Sequence, residues 1–434
     1  MTRILRIVLI IVASGSAMSG VTAQTRAPDV ERAVVAFAQQ SRAHAETLLE
    51  RVVNINSGTM HLAGVRRVGE IFDAELKALG FRTRWVDGAA FKRAGHLVAE
   101  RDGKTPRILL IGHLDTVFEA DSPFQKFERI DRDTARGPGV IDMKGGDVVI
   151  VYALKALAAA GVLDGMALTV VMTGDEEDPG EPLNLARQAL LDAARPATIA
   201  IGFENGNNNP GSANIARRGF TGWTLRVTGT PAHSSQVFTD EVGAGAIYEL
   251  ARVLNGFYAR LSSEPLLSLN PGMTLGGTTV EFDASQSRGS AFGKTNVVAE
   301  RAIVTGDLRT ISADQLAKAK KTMTDMVATT LPKTHGELIF DDSYPPMAPT
   351  DGNRALLARL DQVSRDLGFG PVSAVDPRAA GAADISFVAT EVEMAIDALG
   401  LKGKADHTMD ETADLKLLPV QVARAAVLVY RLTR

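Results

Sequence analysis

The first half of the chain alternates short apolar runs with segments of helical periodicity, and this alternation constrains the fold more than any other feature. Residues 107–111, 167–172 and 198–203 are nearly continuous apolar runs, as expected for strands buried on both faces of a parallel sheet. Residues 145–160 and 183–194 lie between these runs and have helical spacing. The alternation predicts an α/β fold with a mainly parallel sheet.

Side chains that commonly bind metals follow each of the three predicted strands. His113 and Asp115 follow the first, Glu176 and Glu177 follow the second, and Glu204 ends the third. Because the carboxyl ends of parallel strands meet at one edge of a sheet, we expect these side chains to lie close together. An acidic loop or a His-x-Asp pair alone is usually an ordinary surface feature. The placement of all three groups after buried strands favours a site.

Two further residues complete a candidate metal set. Asp142 lies in the glycine-rich turn 139–146, where it can be a helix cap or a carboxylate shared by two ions, and the second role requires an unusual backbone after it. His407 lies far along the chain, where strand–helix alternation resumes. Two imidazoles and three carboxylates suit a pair of zinc ions, with Co²⁺ or Mn²⁺ as substitutes, and leave Glu176 free to act as a general base.

Between residues 212 and 342 the pattern changes to β-α-β-β-α-β, the order of a ferredoxin-like unit. The predicted strands are 220–229, 276–282, 296–308 and 337–341, and the predicted helices are 242–261 and 313–331. We therefore predict a catalytic domain formed by residues 24–211 and 343–434, interrupted by an inserted lid or dimerisation domain at 212–342.

The first 23 residues form a separate segment. Arg3 and Arg6 precede an apolar stretch that is shorter than the roughly 20 residues of a membrane-spanning helix. Residues 21–23 fit a cleavage site of small residues, which predicts a secretory signal peptide removed before Gln24; an uncleaved anchor is the alternative. The chain has no cysteine, and export without disulfides indicates a periplasmic or secreted protein.

The formal net charge is −4, and it becomes more negative when the two arginines of the predicted signal peptide are removed. This balance gives no reason to expect a nucleic acid, or a membrane after signal cleavage, as a partner.

Seven phrases follow one another in a fixed order along the predicted mature chain. They are GHLDT (112–116), GVIDMKGG (139–146), DEE (175–177), FE (203–204), GTPAHSS (229–235), DLR (307–309) and the final His407. With them the chain resembles the M20 family of dizinc metallopeptidases, and within it the glutamate carboxypeptidase (carboxypeptidase G2-like) branch. The resemblance covers essentially the whole mature chain.

The resemblance implies a role for each member of the candidate set. One zinc ion would be held by His113, Glu204 and a shared Asp142, and the other by Glu177, His407 and the same Asp142. Glu176 would be the general base, and Asp115 would orient His113.

The resemblance also implies roles in the inserted domain. His233 would reach the active site of a partner subunit in a homodimer and polarise the scissile carbonyl, whereas Asn296 and Arg309 would help to hold the carboxylate of the substrate. Gly381, in the small-residue loop 378–384, is a further candidate for substrate contact. The segment before Pro345 lacks the basic residue typical of glutamate-specific members, so the identity of the released amino acid stays open.

The function expected from these residues is hydrolysis of a C-terminal amide bond, by a carboxypeptidase that releases glutamate or another amino acid from peptides or N-acyl amino acids. An N-acyl-amino-acid deacylase and a dizinc aminopeptidase are alternatives, and the inserted domain argues against the second. A non-catalytic peptide- or amino-acid-binding protein is an alternative of another class, and the intact Glu176 argues against it.

Overall fold

A computed structural model describes residues 29–434, so the predicted signal peptide at 1–23 lies outside the described residues. Among residues 29–434, no helix has both the length and the apolar character needed to cross a membrane.

The central sheet contains six strands, and four of them are parallel. In spatial order the strands are β1 (Arg82–Asp87), β2 (Gly95–Arg101), β6 (Met166–Thr173), β3 (Lys104–His113), β7 (Ile199–Gly202) and β16 (Met394–Ile396). β6, β3, β7 and β16 are parallel, whereas β1 and β2 form an antiparallel edge. The prediction of an α/β fold with a mainly parallel sheet is therefore confirmed.

Helices cover both faces of this sheet. Ile108 and Leu110 of β3 belong to one apolar cluster and Leu109 and Ile111 to another, because successive side chains of a strand point to opposite faces. On the first face the helices are α1 (Asp29–Gln40), α2 (Arg42–Val53), α3 (Leu62–Ala78), α4 (Lys144–Ala159), α9 (Asp351–Asp366) and α11 (Leu417–Leu432). On the second they are α6 (Gln188–Ala194) and α10 (Ile385–Val388), with α5 (Leu183–Ala186) preceding α6.

Two features of this part differ from the sequence prediction. The predicted helix 183–194 is broken at Arg187 into α5 and α6, and the Arg187 side chain turns inward to pair with Asp175. Several short strands were not predicted, because two or three residues are too few to show a periodicity. They are β4 (Glu128–Arg129), β5 (Thr134–Arg136), β17 (Gly403–Lys404) and β18 (Thr412–Asp414) in one small sheet, and β8 (Ser212–Ala213) and β15 (Ser373–Ala374) in another.

A second sheet with its own core is formed by residues between Thr221 and Asp342, which we call the second unit. Its principal elements are β9 (Thr221–Thr228), α7 (Ala246–Leu261), β10 (Ser268–Gly277), β13 (Arg301–Arg309), α8 (Ala313–Ala328) and β14 (His335–Asp342). The strands are arranged in the order β10-β13-β9-β14, antiparallel throughout, and this is the ferredoxin-like order that the sequence predicts.

Several boundaries in the second unit differ from the prediction. Helix α7 begins later than residue 242, since Gly243 and Gly245 have the positive φ angles 69° and 77°, which a right-handed helix does not contain. Strand β10 extends back to Ser268, with an irregularity in register between Pro271 and Met273. The predicted strand 276–282 is divided between β10 and a separate hairpin of β11 (Thr279–Asp283) and β12 (Arg288–Phe292).

Candidate metal centre and active site

The parallel strands bring four of the predicted residues to one edge of the central sheet. His113 is the last residue of β3, Glu176 and Glu177 follow β6, and Glu204 follows β7. Since β6, β3 and β7 are adjacent and parallel, their carboxyl ends meet, as the sequence predicts.

Asp142 links the two imidazoles of the site. It precedes α4, and its peptide bond to Met143 is cis. One carboxylate oxygen, Oδ1, lies 3.2 Å from His113 Nε2, and the other, Oδ2, lies 3.0 Å from His407 Nε2. This is the geometry expected of a carboxylate shared by two metal ions.

The remaining two carboxylates each lie beside one imidazole. Glu204 Oε1 is 3.4 Å from His113 Nε2, and Glu177 Oε2 is 3.3 Å from His407 Nε2. His407 stands on the turn between β17 and β18 with a φ of 59°, and its side chain is 54% exposed. The structure thus brings together the two sets of three candidate ligands, one around each imidazole, that the resemblance implies.

Asp115 orients both His113 and the loop that carries the glutamates. Its main-chain carbonyl lies 3.1 Å from His113 Nδ1 and its Oδ1 lies 3.4 Å away, so His113 Nε2 is left facing the site. Its carboxylate accepts hydrogen bonds from the main-chain N–H groups of Glu176 and Glu177, at 3.1 Å each, and from the Thr59 hydroxyl at 2.7 Å. Buried Asp115 therefore fixes the site without facing it.

The site concentrates negative charge in a buried place. Burial raises the pKa of Glu177 to about 7, with the nearby Asp142 carboxylate adding to the effect. Burial also raises the pKa of Glu176 well above its ordinary value, supported by Glu204 and Glu177. Hydrogen bonds to Asp142 and Glu177 raise the pKa of His407 to about 11. Four carboxylates against two imidazoles create a demand for cations that bound metal ions would satisfy.

The donor atoms fit divalent metal ions. Within the part of the chain that the structure describes, Glu177 Oε1 is buried and has no hydrogen-bond partner, although such an atom is costly to leave unsatisfied. Ligand atoms of His113, Glu176 and Glu204 lie within 4.8 Å of one another, as do those of His113, Asp142 and Glu177. Imidazole nitrogens and carboxylate oxygens suit zinc, and Co²⁺ and Mn²⁺ accept the same donors.

Glu411 supports the Asp142 turn and was not found from the sequence. Its buried carboxylate accepts hydrogen bonds from the main-chain N–H groups of Gly139, Ile141 and Asp142. Burial raises the pKa of Glu411 to about 8, although these hydrogen bonds oppose the rise. Glu411 is distant from the turn in sequence and belongs to no recognisable phrase, so no signal in the sequence identifies it.

A cavity of about 160 Å³ lies against the candidate metal ligands, and Gly381, the candidate substrate contact, is among the residues that line it. Arg217 also lines it and was missed: its Nε and Nη2 lie 2.8 Å and 2.7 Å from Asp397 Oδ2, and its Nη1 donates to the Gly381 carbonyl at 2.6 Å. Asp397 Oδ1 accepts the main-chain N–H of Glu204. Asp397 could have been identified from the sequence, since a carboxylate in the apolar stretch 394–399 is unusual.

The three candidate residues of the second unit do not line this cavity. His233 is exposed and lies beside Asn296, whose carbonyl accepts the N–H of Ser234. Arg309 ends β13, which pairs with the start of β9, whereas His233 follows the end of β9. Since β9 has 8 residues, His233 and Arg309 are separated by roughly the length of that strand, about 25 Å. A single site within one chain cannot contact both residues at this separation.

Comparisons with known proteins agree with this geometry. A family model described as peptidase family M20/M25/M40 matches residues 109–431. Carboxypeptidase G2 from Pseudomonas sp. (strain RS-16) is 26% identical over 391 residues, which is 88% of this chain and 88% of that protein. A succinyl-diaminopimelate desuccinylase from Sphingopyxis alaskensis is 32% identical over 179 residues, 38% of this chain and 45% of that protein.

Solved structures share the fold at low sequence identity. Aminopeptidase PepT from Bacillus cereus has a TM-score of 0.70 at 16% identity, covering 91% of this chain and 99% of its own. A dinuclear metal-binding peptidase of the M20 family from Bacillus subtilis has a TM-score of 0.61 at 13% identity, with coverages of 91% and 99%. Because aminopeptidase PepT shares this fold over 91% of the chain, the inserted domain does not count against an aminopeptidase, contrary to the expectation from the sequence.

Proposed function

This chain belongs to peptidase family M20/M25/M40, and from that premise we propose that it is a two-zinc hydrolase that releases a C-terminal amino acid from a small peptide or an N-acyl amino acid. One observation carries the proposal. The two carboxylate oxygens of Asp142 face two different imidazoles, and the Glu176 carboxylate lies within 4.8 Å of one of them.

The residues of the site divide the chemical work. Metal ions held by these residues would lower the pKa of an attacking water to about 7 and polarise the scissile carbonyl. Glu176 accepts the proton of that water and passes it to the leaving amine. Burial raises the pKa of Glu176 above the ordinary value of a glutamate, and this direction favours accepting a proton. Asp115 holds the main-chain N–H groups of Glu176 and Glu177, so that the two adjacent carboxylates keep different directions.

A substrate panel separates this proposal from its alternatives. N-acetyl and N-succinyl amino acids, folyl-glutamate and free dipeptides would be compared with the same compounds carrying a C-terminal carboxamide, and with amino-acid anilides. We expect metal-dependent hydrolysis that requires a free C-terminal carboxylate, abolished by a chelator and restored by Zn²⁺. Cleavage of anilides alone would identify an aminopeptidase, and cleavage of N-acyl amino acids without cleavage of dipeptides or folyl-glutamate would identify a deacylase. Binding without hydrolysis would indicate the non-catalytic alternative.

The second unit acts, in this proposal, as a lid that also forms a homodimer. His233 Nδ1 accepts the N–H of Ser235 at 3.3 Å, so a neutral imidazole carries its proton on Nε2. That Nε2–H is available to donate to a developing oxyanion on a partner subunit. Export is part of the proposal as well, and it stays a prediction that rests on residues 1–23.

His233→Ala should retain both metal ions and lose about 10²- to 10³-fold in kcat, the usual effect of removing one oxyanion donor. His335→Ala, an exposed histidine of the same unit, is the matched control and should remain active. If His233 acts across subunits, mixing His233→Ala with Glu176→Ala chains creates dimers with one complete site. Random exchange should then restore about one quarter of wild-type activity. An active monomer, or proven mixed dimers without activity, would contradict this role.

A further inference from the structure

A buried ionic cluster lies beneath the loop that carries Glu176. The Arg187 side chain is only 1% exposed, and its Nη1 and Nε lie 2.6 Å from Asp175 Oδ1 and 2.9 Å from Asp384 Oδ1. The guanidinium also packs against the rings of Tyr344 and Phe387, with its carbon 5.9 Å and 5.2 Å from the ring centroids. Because Asp175 directly precedes Glu176, the cluster anchors the start of the catalytic loop.

Tyr344 extends this cluster to the main chain of the general base. Its hydroxyl donates a 2.5 Å hydrogen bond to the carbonyl oxygen of Glu176 and accepts one from Arg187 Nη2 at 3.3 Å. Burial, with the Glu176 and Asp384 carboxylates nearby, raises the pKa of Tyr344 well above its ordinary value, so the phenol stays protonated. The loop after β6 is therefore held from two sides, by Asp115 at its N–H groups and by Tyr344 at a carbonyl.

The main chain of Tyr344 belongs to the connection between the second unit and the rest of the molecule. The chain enters the second unit through residues 217–220 and leaves it through 343–347, and these two segments run side by side. Phe220 N donates to the Tyr344 carbonyl at 2.8 Å, and Ser343 N donates to the Phe220 carbonyl at 3.3 Å. Arg217 and Met347 exchange main-chain hydrogen bonds of 3.0 Å and 2.9 Å.

We propose that Tyr344 is a positioning residue that couples the connection of the second unit to the general base, because its main chain lies in that connection and its hydroxyl holds the Glu176 carbonyl. The inference rests on the proposed function for the role of Glu176. A rotation of the second unit about the connection displaces the Tyr344 main chain, and the hydroxyl transmits that displacement to the loop. Closure of the second unit and alignment of the base then occur together.

The kinetic test is Tyr344→Phe, which removes the hydroxyl and keeps the ring that packs on Arg187. We expect kcat to fall about 3- to 10-fold, the value of one hydrogen bond, with KM within about twofold and both metal ions retained. Because Tyr344 acts through Glu176, the same substitution in a Glu176→Ala background should cause no further loss. Tyr258→Phe, at an exposed tyrosine of α7, is the matched control and should behave as wild type.

Hydrogen exchange supplies a readout that does not depend on activity. The N–H groups of Glu176, Glu177 and Gly180 all donate to buried carboxylates, so a peptide covering residues 174–182 should be protected. Tyr344→Phe should speed exchange of this peptide about 3- to 10-fold and leave β6 and α7 unchanged. If no substrate is hydrolysed by wild type, the proposed function fails, while the exchange result still decides whether Tyr344 holds the loop. Unchanged exchange, unchanged kcat in an active enzyme, or an additive loss in the Glu176→Ala background would overturn the inference.

Discussion

Glu176→Ala is expected to keep about two metal ions per chain and to lose about 10²- to 10⁴-fold in kcat, the range typical of removing a general base. Metal should be retained because each imidazole lies beside two other carboxylates, drawn from Asp142, Glu177 and Glu204, when Glu176 is removed. Metal content by elemental analysis and kcat on the same preparation give the measurement.

Two further variants make this test specific. Glu176→Gln keeps the shape of the side chain and should show a loss similar to that of alanine. Glu181→Ala removes an exposed carboxylate from the same loop and should leave kcat and metal content unchanged. A ligand atom of Glu176 lies within 4.8 Å of those of His113 and Glu204, so loss of one metal ion together with activity would make Glu176 a ligand instead. Turnover close to that of wild type would refute the mechanism.

Asp142→Ala is expected to disturb both metal sites, whereas His407→Ala should weaken mainly one. Asp142 contacts both imidazoles through its two oxygens, but His407 contacts only the Asp142–Glu177 side of the centre. Titration of metal-free protein with Zn²⁺ should show no tight site in Asp142→Ala and one tight and one weak site in His407→Ala. Activity should fall to background in the first variant and recover with excess Zn²⁺ in the second.

Thermal unfolding gives an independent measurement of the same prediction. A ligand that binds only the folded state stabilises it by RT ln(1 + [L]/Kd), so Zn²⁺ should raise the Tm of wild type and of His407→Ala. The Tm of Asp142→Ala should respond little. Asp142→Asn, which keeps the shape and one acceptor oxygen, separates loss of the shared carboxylate from damage to the turn. Two tight sites in both alanine variants would mean that the metal set is assigned wrongly.

In our proposal, the second unit influences the chemistry in two ways, one through its exposed residue His233 and the other through Tyr344 in its connection to the rest of the chain. His233 acts, in our proposal, on a partner subunit, whereas Tyr344 acts within its own chain through the main chain of Glu176. The two effects are separable, because only the loss in Tyr344→Phe should vanish in a Glu176→Ala background. In such a dimer, closure of one second unit would move Tyr344 and so align Glu176 in the same chain. The same closure would bring His233 to the partner's site, where it stabilises the oxyanion.

The sequence alone predicted the sheet, the order of its principal elements and the residues at its catalytic edge. The buried parts of strands such as β3 and β6 are continuous apolar runs, and this pattern can be recognised in the sequence without knowing which distant residues contact them. The side chains of His113, Glu177 and Glu204 could be grouped because parallel strands must end at the same edge. The ferredoxin-like unit was also recognisable from local pattern, because a strand such as β9 alternates between buried and more accessible residues.

Only the tertiary structure revealed Glu411 and Tyr344, two of the residues that hold the catalytic set in place. Glu411 reaches the Asp142 turn across more than 260 positions of sequence, and Tyr344 reaches Glu176 across 168. Such contacts leave no local periodicity, because a buried carboxylate or hydroxyl is satisfied by whichever main-chain group the fold brings near it. Local pattern determines which strands and helices form and where polar residues follow them. The packing of distant segments determines which polar groups meet, and this is why the structure, and not the sequence, identified how the general base is held.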